Sequence, residues 1–235
     1  MSVCIAIKDK DRIYMGCDSQ VTMGAGKHTL KSVNNFKIWK VEGADNCLMG
    51  GVGRMRDICF TRVATDIVPL RSIMANEIDY ATVVQTVVPA IWNNLISYSC
   101  YDEEVFTKGD GIESQFLLAL GGNLYLIMGD GCVEEIEDYT AIGSGDDLAL
   151  GSLKTTGDSN FTPEERIAVA IDAAAHGNTY VSNPIIIADT KTEGFAIYGE
   201  DQEKISSDHL EEIKPVEPAK PAEPKKKKKT DKKSV

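Results

Sequence analysis

Apolar side chains near the start of the chain come in two short runs, residues 3–7 (VCIAI) and 13–17 (IYMGC), around the charged turn DKDR. That spacing predicts a tight β-hairpin. Residues 36–41 (FKIWKV) alternate apolar and polar positions and suit a strand with one buried face. Residues 47–50 are short and apolar, and Gly50, Gly51 and Gly53 then read as a glycine turn closing that strand. From there the period changes. Met55, Ile58, Cys59, Val63 and Ile67 recur at three- and four-residue intervals, which predicts a helix over 54–71. Val83, Val87, Ile91 and Leu95 do the same over 79–98, with Pro89 inside and a kink expected there.

Strand patterns return after a polar connection at 99–114. Residues 115–120 and 124–128 flank Gly121-Gly122-Asn123, a hairpin signal, and shorter candidates lie at 133–136 and 140–142. A helix is expected over 146–154. A second one is announced by Thr162 as N-cap, Pro163 in the first position and two acids behind it. Residues 185–189 and 194–198 form a final strand pair. The order is four strands, two helices, three strands, two helices, two strands. Strands clustered ahead of helices argue against a doubly wound βαβ sheet. Two stacked antiparallel sheets with a helix pair over each outer face would bury every apolar stripe. The expected class is α+β, a four-layer αββα sandwich.

Composition adds limits. With 235 residues, 43% hydrophobic and 26% charged, the chain can bury a sizeable core. No apolar run reaches the ~18 residues of a bilayer span, and the start MSVCIAIKDKDR carries no secretory pattern. Cys4, Cys17, Cys47, Cys59, Cys100 and Cys132 are scattered without metal-ligand spacing, so buried free thiols in a reducing, cytoplasmic setting are expected, with no metal and no cofactor. The net charge of −11 is divided unevenly. Residues 214–235 hold nine lysines against three acids (+6), and the remainder holds sixteen basic against thirty-three acidic residues (−17). The expected division is one domain over 1–213 and a disordered Pro/Lys-rich tail over 214–235. The Lys225–Lys229 run serves either solubility or contact with an acidic partner or nucleic acid. The acidic body argues against a nucleic-acid-binding domain proper.

No phosphate loop, zinc HExxH motif or GxSxG elbow is present in the sequence. What remains is the N-terminus. A residue as small as Ser2 permits removal of Met1, which would give Ser2 a free α-amine beside its hydroxyl. Such an amine titrates near ~7.7–8.0 and can serve as a base around neutral pH. An N-terminal hydroxyl residue activated by its own amine is a known nucleophile arrangement.

Five segments in order, SVCIAI, GCDSQVT, FKIWKV, LMGGVG and AIGSG, resemble the proteasome β-subunits and the related HslV peptidase over about residues 2–199. The resemblance implies an N-terminal-nucleophile hydrolase fold and peptide-bond hydrolysis inside a ring of subunits. An unfolded-protein substrate and an ATPase unfoldase partner would accompany it. Carried over residue by residue, it implies Ser2 as nucleophile, Lys37 as the cation beside it and Asp18 as the partner of Lys37. Gly50 would be the oxyanion amide, and Ser144 a hydroxyl near the α-amine. Each has a plainer reading: a solvated strand lysine, a turn aspartate, a strand-end glycine, an N-cap serine.

The chain also departs from the family pattern. Serine stands in place of the usual threonine. Lys37 requires about three extra residues after Asp18 relative to the family, with Asn34 and Asn35 competing for its place. No acid lies within residues 174–179, where the family has an aspartate. The alternatives are a non-catalytic assembly subunit of this fold, an amidohydrolase for a small amide, or a binding module delivered by the basic tail.

Overall fold

The structure is a computed structural model, and it describes residues 2–63, 79–98, 100–102, 104, 111–199 and 204–205. The expected tail and the second half of the helix over 54–71 fall outside these residues. Two antiparallel sheets form the centre. The first runs in the order β10-β1-β2-β11-β12-β13, where β1 is Val3–Asp9, β2 Arg12–Asp18, β10 Tyr139–Gly143, β11 Ile185–Asp189, β12 Ala196–Tyr198 and β13 Lys204–Ile205. The second runs β5-β6-β7-β8-β9, with β5 Ile38–Lys40, β6 Leu48–Val52, β7 Gln115–Leu120, β8 Asn123–Ile127 and β9 Val133–Ile136.

Three apolar layers hold the sheets and helices together. Cys4, Ala6, Ile13, Met15, Ile38, Leu48, Leu117 and Leu124 meet between the two sheets. Helix α1 (Met55–Val63) and helix α2 (residues 80–97) cover the second sheet through Ile58, Val83, Val87, Ile91 and Leu95. Helix α3 (Asp146–Thr155) and helix α4 (Pro163–Gly177) cover the first through Ala149, Leu153, Ile167, Ala170 and Ile171. This is the four-layer αββα sandwich that the alternation of periods requires.

Local chemistry fixes the element ends. The Thr162 hydroxyl accepts from Glu165 N while the Glu165 carboxylate accepts from Thr162 N, a complete capping box that starts α4. In α2, Asp79 caps the first turn. The backbone then widens to π-helical over Val83–Val87 just ahead of Pro89. Proline lacks an N–H and its ring crowds the carbonyl four residues back, and the wider turn accommodates both.

Three expectations are corrected. Strand β6 continues through Gly50 and Gly51 to Val52 rather than ending at them. The segment 36–41 keeps only Ile38–Lys40 as strand, because Val33–Asn35 forms a 3-10 turn before it. A separate hairpin, β3 (Gln20–Met23) with β4 (Gly26–Thr29), lies where no strand was expected. Four of the six cysteines are buried free thiols, whereas Cys59 and Cys132 are exposed.

Candidate active site

Strand β1 begins at Val3, so Ser2 sits at the end of a central strand of the first sheet, with only 4% of its surface exposed. Strand β2 ends at Asp18, opposite that end of β1. The Asp18 carboxylate is fully buried and makes three hydrogen bonds. Its Oδ1 accepts from Val3 N at 3.0 Å and from Lys37 Nζ at 2.7 Å, and its Oδ2 accepts from Gln20 N at 3.0 Å. Lys37 is 1% exposed, and its ammonium also donates to the Gln20 carbonyl at 2.6 Å. A buried ion pair is tolerable only when its remaining hydrogen-bonding capacity is met, and here both partners are tied to backbone. A solvated strand lysine and a turn aspartate are therefore not what the fold contains. One carboxylate oxygen bridges the buried ammonium to the residue next to Ser2.

The other side of Ser2 is formed by the turn between β10 and α3. Gly143 has φ +103°, and a Cβ there would lie 2.3 Å from the Ser2 carbonyl oxygen, so only glycine lets the turn close on the N-terminal strand. Ser144 then places its hydroxyl 3.2 Å from Ser2 N, and Gly145 N donates to Ser2 O at 3.2 Å. With Met1 in place Ser2 N is a peptide amide; it stands in for the α-amine that removal of Met1 would expose. The N-cap position of α3 belongs to Gly145, without a side-chain cap, so the expected N-cap reading of Ser144 does not hold.

Gly50 is not at this cleft. It lies inside β6, paired with Ile38 on one side and Leu117 on the other. A Cβ on it would meet Cys4 Sγ at 2.6 Å and Met15 Sδ at 3.6 Å, so it faces the core between the sheets. Gly51 N donates to Lys37 O at 2.8 Å. Neighbouring amides of an antiparallel strand point to opposite edges, so the Gly50 amide turns toward β7. The glycine that lines the cleft with Ser2 is Gly53, just past the end of β6, at φ +116°. A Cβ there would come within 2.6 Å of the Ser114 Cα.

The cleft has a volume of about 540 Å³ and runs between the β3–β4 hairpin (Gln20, Val21, Thr22, Met23) and the start of α1 (Gly53, Arg54, Met55, Arg56). Gln20 is 1% exposed and spans two parts of the site, its side-chain amide donating to Thr22 Oγ1 and to Thr179 O. Asn178, the C-cap of α4, donates from Nδ2 to the Ser144 carbonyl and accepts at Oδ1 from Tyr180 N at 2.9 Å. Burial beside Ser2 also shapes two thiols. Cys4 is pushed well above its ordinary pKa, by burial first and then by Cys17, and burial pushes Cys17 up to about 12. Both stay as neutral apolar filling.

Against known proteins, the family model described as "Proteasome subunit" matches residues 2–188. The chain belongs to the proteasome subunit family. A proteasome subunit beta from Nanoarchaeum equitans is 27% identical over 176 residues, covering 72% of this chain and 81% of that protein. Among solved structures, Thiobacillus denitrificans BPH in complex with epoxomicin has a TM-score of 0.61 at 17% identity, over 82% of this chain and all of that one. Eukaryotic HslV from Trypanosoma brucei has a TM-score of 0.60 at 15% identity, over 81% of this chain and 99% of that one. These likenesses establish the shared sandwich.

Within this proteasome-family subunit, the structure brings Ser2, Asp18, Lys37 and Ser144 to one end of the first sheet and leaves Gly50 in the core. Sequence reasoning missed Gly53, Gln20 and Asn178. Gly53 had a usable signal, being the last glycine before the helical period begins. Gln20 and Asn178 act through backbone contacts that no spacing announces.

Proposed function

We propose that this chain is a peptidase subunit that uses Ser2 as an N-terminal nucleophile once Met1 has been removed. The observation carrying this reading is the shared Asp18 Oδ1, which links the buried Lys37 ammonium to Val3 N beside Ser2. An ammonium has three donors. Two of those of Lys37 serve Asp18 and Gln20, and the third is the one offered to the Ser2 oxygen, where it favours the alkoxide-like nucleophile. The Ser2 α-amine, held by the Ser144 hydroxyl, takes the proton from Oγ as Oγ attacks the amide carbonyl, and later returns it to the leaving amine. The oxyanion of the tetrahedral intermediate falls to the Gly53 amide in place of Gly50, a contribution of ~10²–10³ in rate where such donors have been removed. The substrate is an extended peptide laid between the β3–β4 hairpin and the start of α1.

By analogy with the family, several copies would assemble into a ring enclosing this cleft, with unfolded chains as substrate. The HslV neighbour suggests an ATPase as the feeding partner. The 214–235 tail would be an accessory contact for an acidic surface. This chemistry needs no metal or organic cofactor.

The test is hydrolysis of fluorogenic peptides by the mature protein and by Ser2→Ala. Cleavage lost in the variant supports the reading. Cleavage that survives in it removes Ser2 from the mechanism. A purified protein that cleaves no peptide and still carries Met1 would favour the assembly-subunit alternative.

A further inference from the structure

We infer that the cleft selects peptides with an acidic side chain close to the cleaved bond, held by Arg54 and Arg56; the inference rests on the Ser2 peptidase reading. Outside residues 214–235 the chain carries −17, so an acidic groove would be the default. The cleft lining instead includes two arginines, Arg54 and Arg56, against one acid, Glu113. Among the described residues, neither arginine has a carboxylate within ion-pair distance. Arg54 lies over the Tyr101 ring at 5.1 Å and is hydrogen-bonded to that side chain. Arg56 lies over the Phe60 ring at 5.6 Å and donates from Nη2 to Tyr98 O at 3.0 Å. Each is thus held by an aromatic ring and a hydrogen bond to a neutral group, with no ion pair.

The nearby acids Asp57 and Glu113 attract Arg54 without forming an ion pair with it. Asp57 Oδ2 accepts from the hydroxyls of Tyr101 and Ser114, each at 2.7 Å. Placement points the same way. Both arginines stand at the N-terminal end of α1, where the helix dipole disfavours cations. A cost to local stability of this kind is expected where a side chain serves a ligand. A guanidinium donates to a carboxylate in a two-point geometry that lysine cannot match. Val21, Met23 and Met55 leave apolar wall for the flanking side chains.

The experiment uses the mature full chain and fluorogenic peptides in which each of the residues preceding the fluorophore is varied in turn among Glu, Gln, Leu and Arg. At one position Glu should exceed Gln by about ten-fold in kcat/KM, the scale of one partly exposed charge-assisted hydrogen bond, and Arg should be worst. The Glu advantage should shrink as salt rises from about 0.05 to 0.5 M, and the Glu:Gln ratio should approach one in Arg56→Gln or Arg54→Gln. Equal cleavage of Glu and Gln peptides, or a ratio unchanged in both variants and by salt, overturns the inference and leaves the peptidase reading standing. No cleavage of any peptide, with Ser2 unlabelled by an electrophilic inhibitor, overturns both.

Discussion

Lys37 Nζ lies 2.7 Å from Asp18 Oδ1, and neither side chain exposes more than 1% of its surface. Removing one member leaves the other charge buried and unpaired, which costs about 3–5 kcal/mol. Replacing both by apolar residues removes the unpaired charge but orphans the Val3 and Gln20 amides and the Gln20 carbonyl that the pair satisfies. Asp18→Asn and Lys37→Met should each lower stability in urea unfolding, while the double variant Asp18→Leu/Lys37→Met should recover only part of the loss. Peptide hydrolysis should fall by at least ~10² in all three. Activity returning with stability in the double variant would show the pair to be structural only.

The two glycines of β6 and its exit should separate cleanly. Gly50→Ala forces a Cβ against Cys4 Sγ at 2.6 Å, a clash with a side chain. It should destabilise by about 1–3 kcal/mol and be relieved by Cys4→Ala. Gly53→Ala meets Ser114 Cα and the Glu113 carbonyl at a left-handed φ, so no side-chain truncation should rescue it. Hydrolysis should be lost in Gly53→Ala, and it should return in Gly50→Ala/Cys4→Ala to the extent that folding does.

These glycines also mark the limit of what the chain alone discloses. A run such as Gly50-Gly51-Val52-Gly53 reads as a strand breaker, yet two of its glycines, Gly50 and Gly51, sit inside β6. They are there because neighbours come too close for a Cβ: Cys4 Sγ of the facing sheet at Gly50, and at Gly51 the ring of its cross-strand partner Phe116 at 3.0 Å with Ile58 of α1 at 3.3 Å. That is a property of packing around the strand and leaves no periodicity behind. The layers themselves were legible, since the strand and helix periods of 3–7, 13–17, 79–98 and 163–175 survive in the fold. The β3–β4 hairpin was not, because Val21, Thr22, Lys27 and His28 lack alternation and the turn was signalled only by Gly24 and Gly26. Lys37 could be placed from the family resemblance alone; by alternation it is an ordinary strand lysine.

The thiols give a check on burial. Cys59 and Cys132 are exposed, while burial pushes Cys17 and Cys47 up to about 12 and Cys4 well above its ordinary value. The reactive species is the thiolate. Two thiols should react quickly with a chromogenic disulfide reagent at pH 8, and Cys4, Cys17 and Cys47 only after denaturation. Fast reaction of Cys4 would contradict the packing between the sheets.

Acid should act through Asp189. Burial works against its ionised form, but the Arg12 guanidinium at 2.8 Å, the Thr192 hydroxyl and the Lys191 and Thr192 amides hold its carboxyl well below the ordinary range. A carboxyl depressed in the folded state contributes stability above its unfolded pKa near ~3.9. That contribution is lost as pH falls from there through the folded value. Asp189→Asn should cost about 1–3 kcal/mol at pH 7, and its deficit relative to the unaltered chain should narrow below about pH 4. Denaturant unfolding of both proteins across that range checks the sign.

The most direct test is intact-mass analysis of the purified protein before and after treatment with an electrophilic peptide inhibitor, with the adduct mapped by fragmentation. The expected result is a chain lacking Met1 that gains one inhibitor at Ser2 and gains none in Lys37→Met. A chain that retains Met1, or an adduct on any other residue, contradicts the assignment of attacking oxygen and proton acceptor to Ser2.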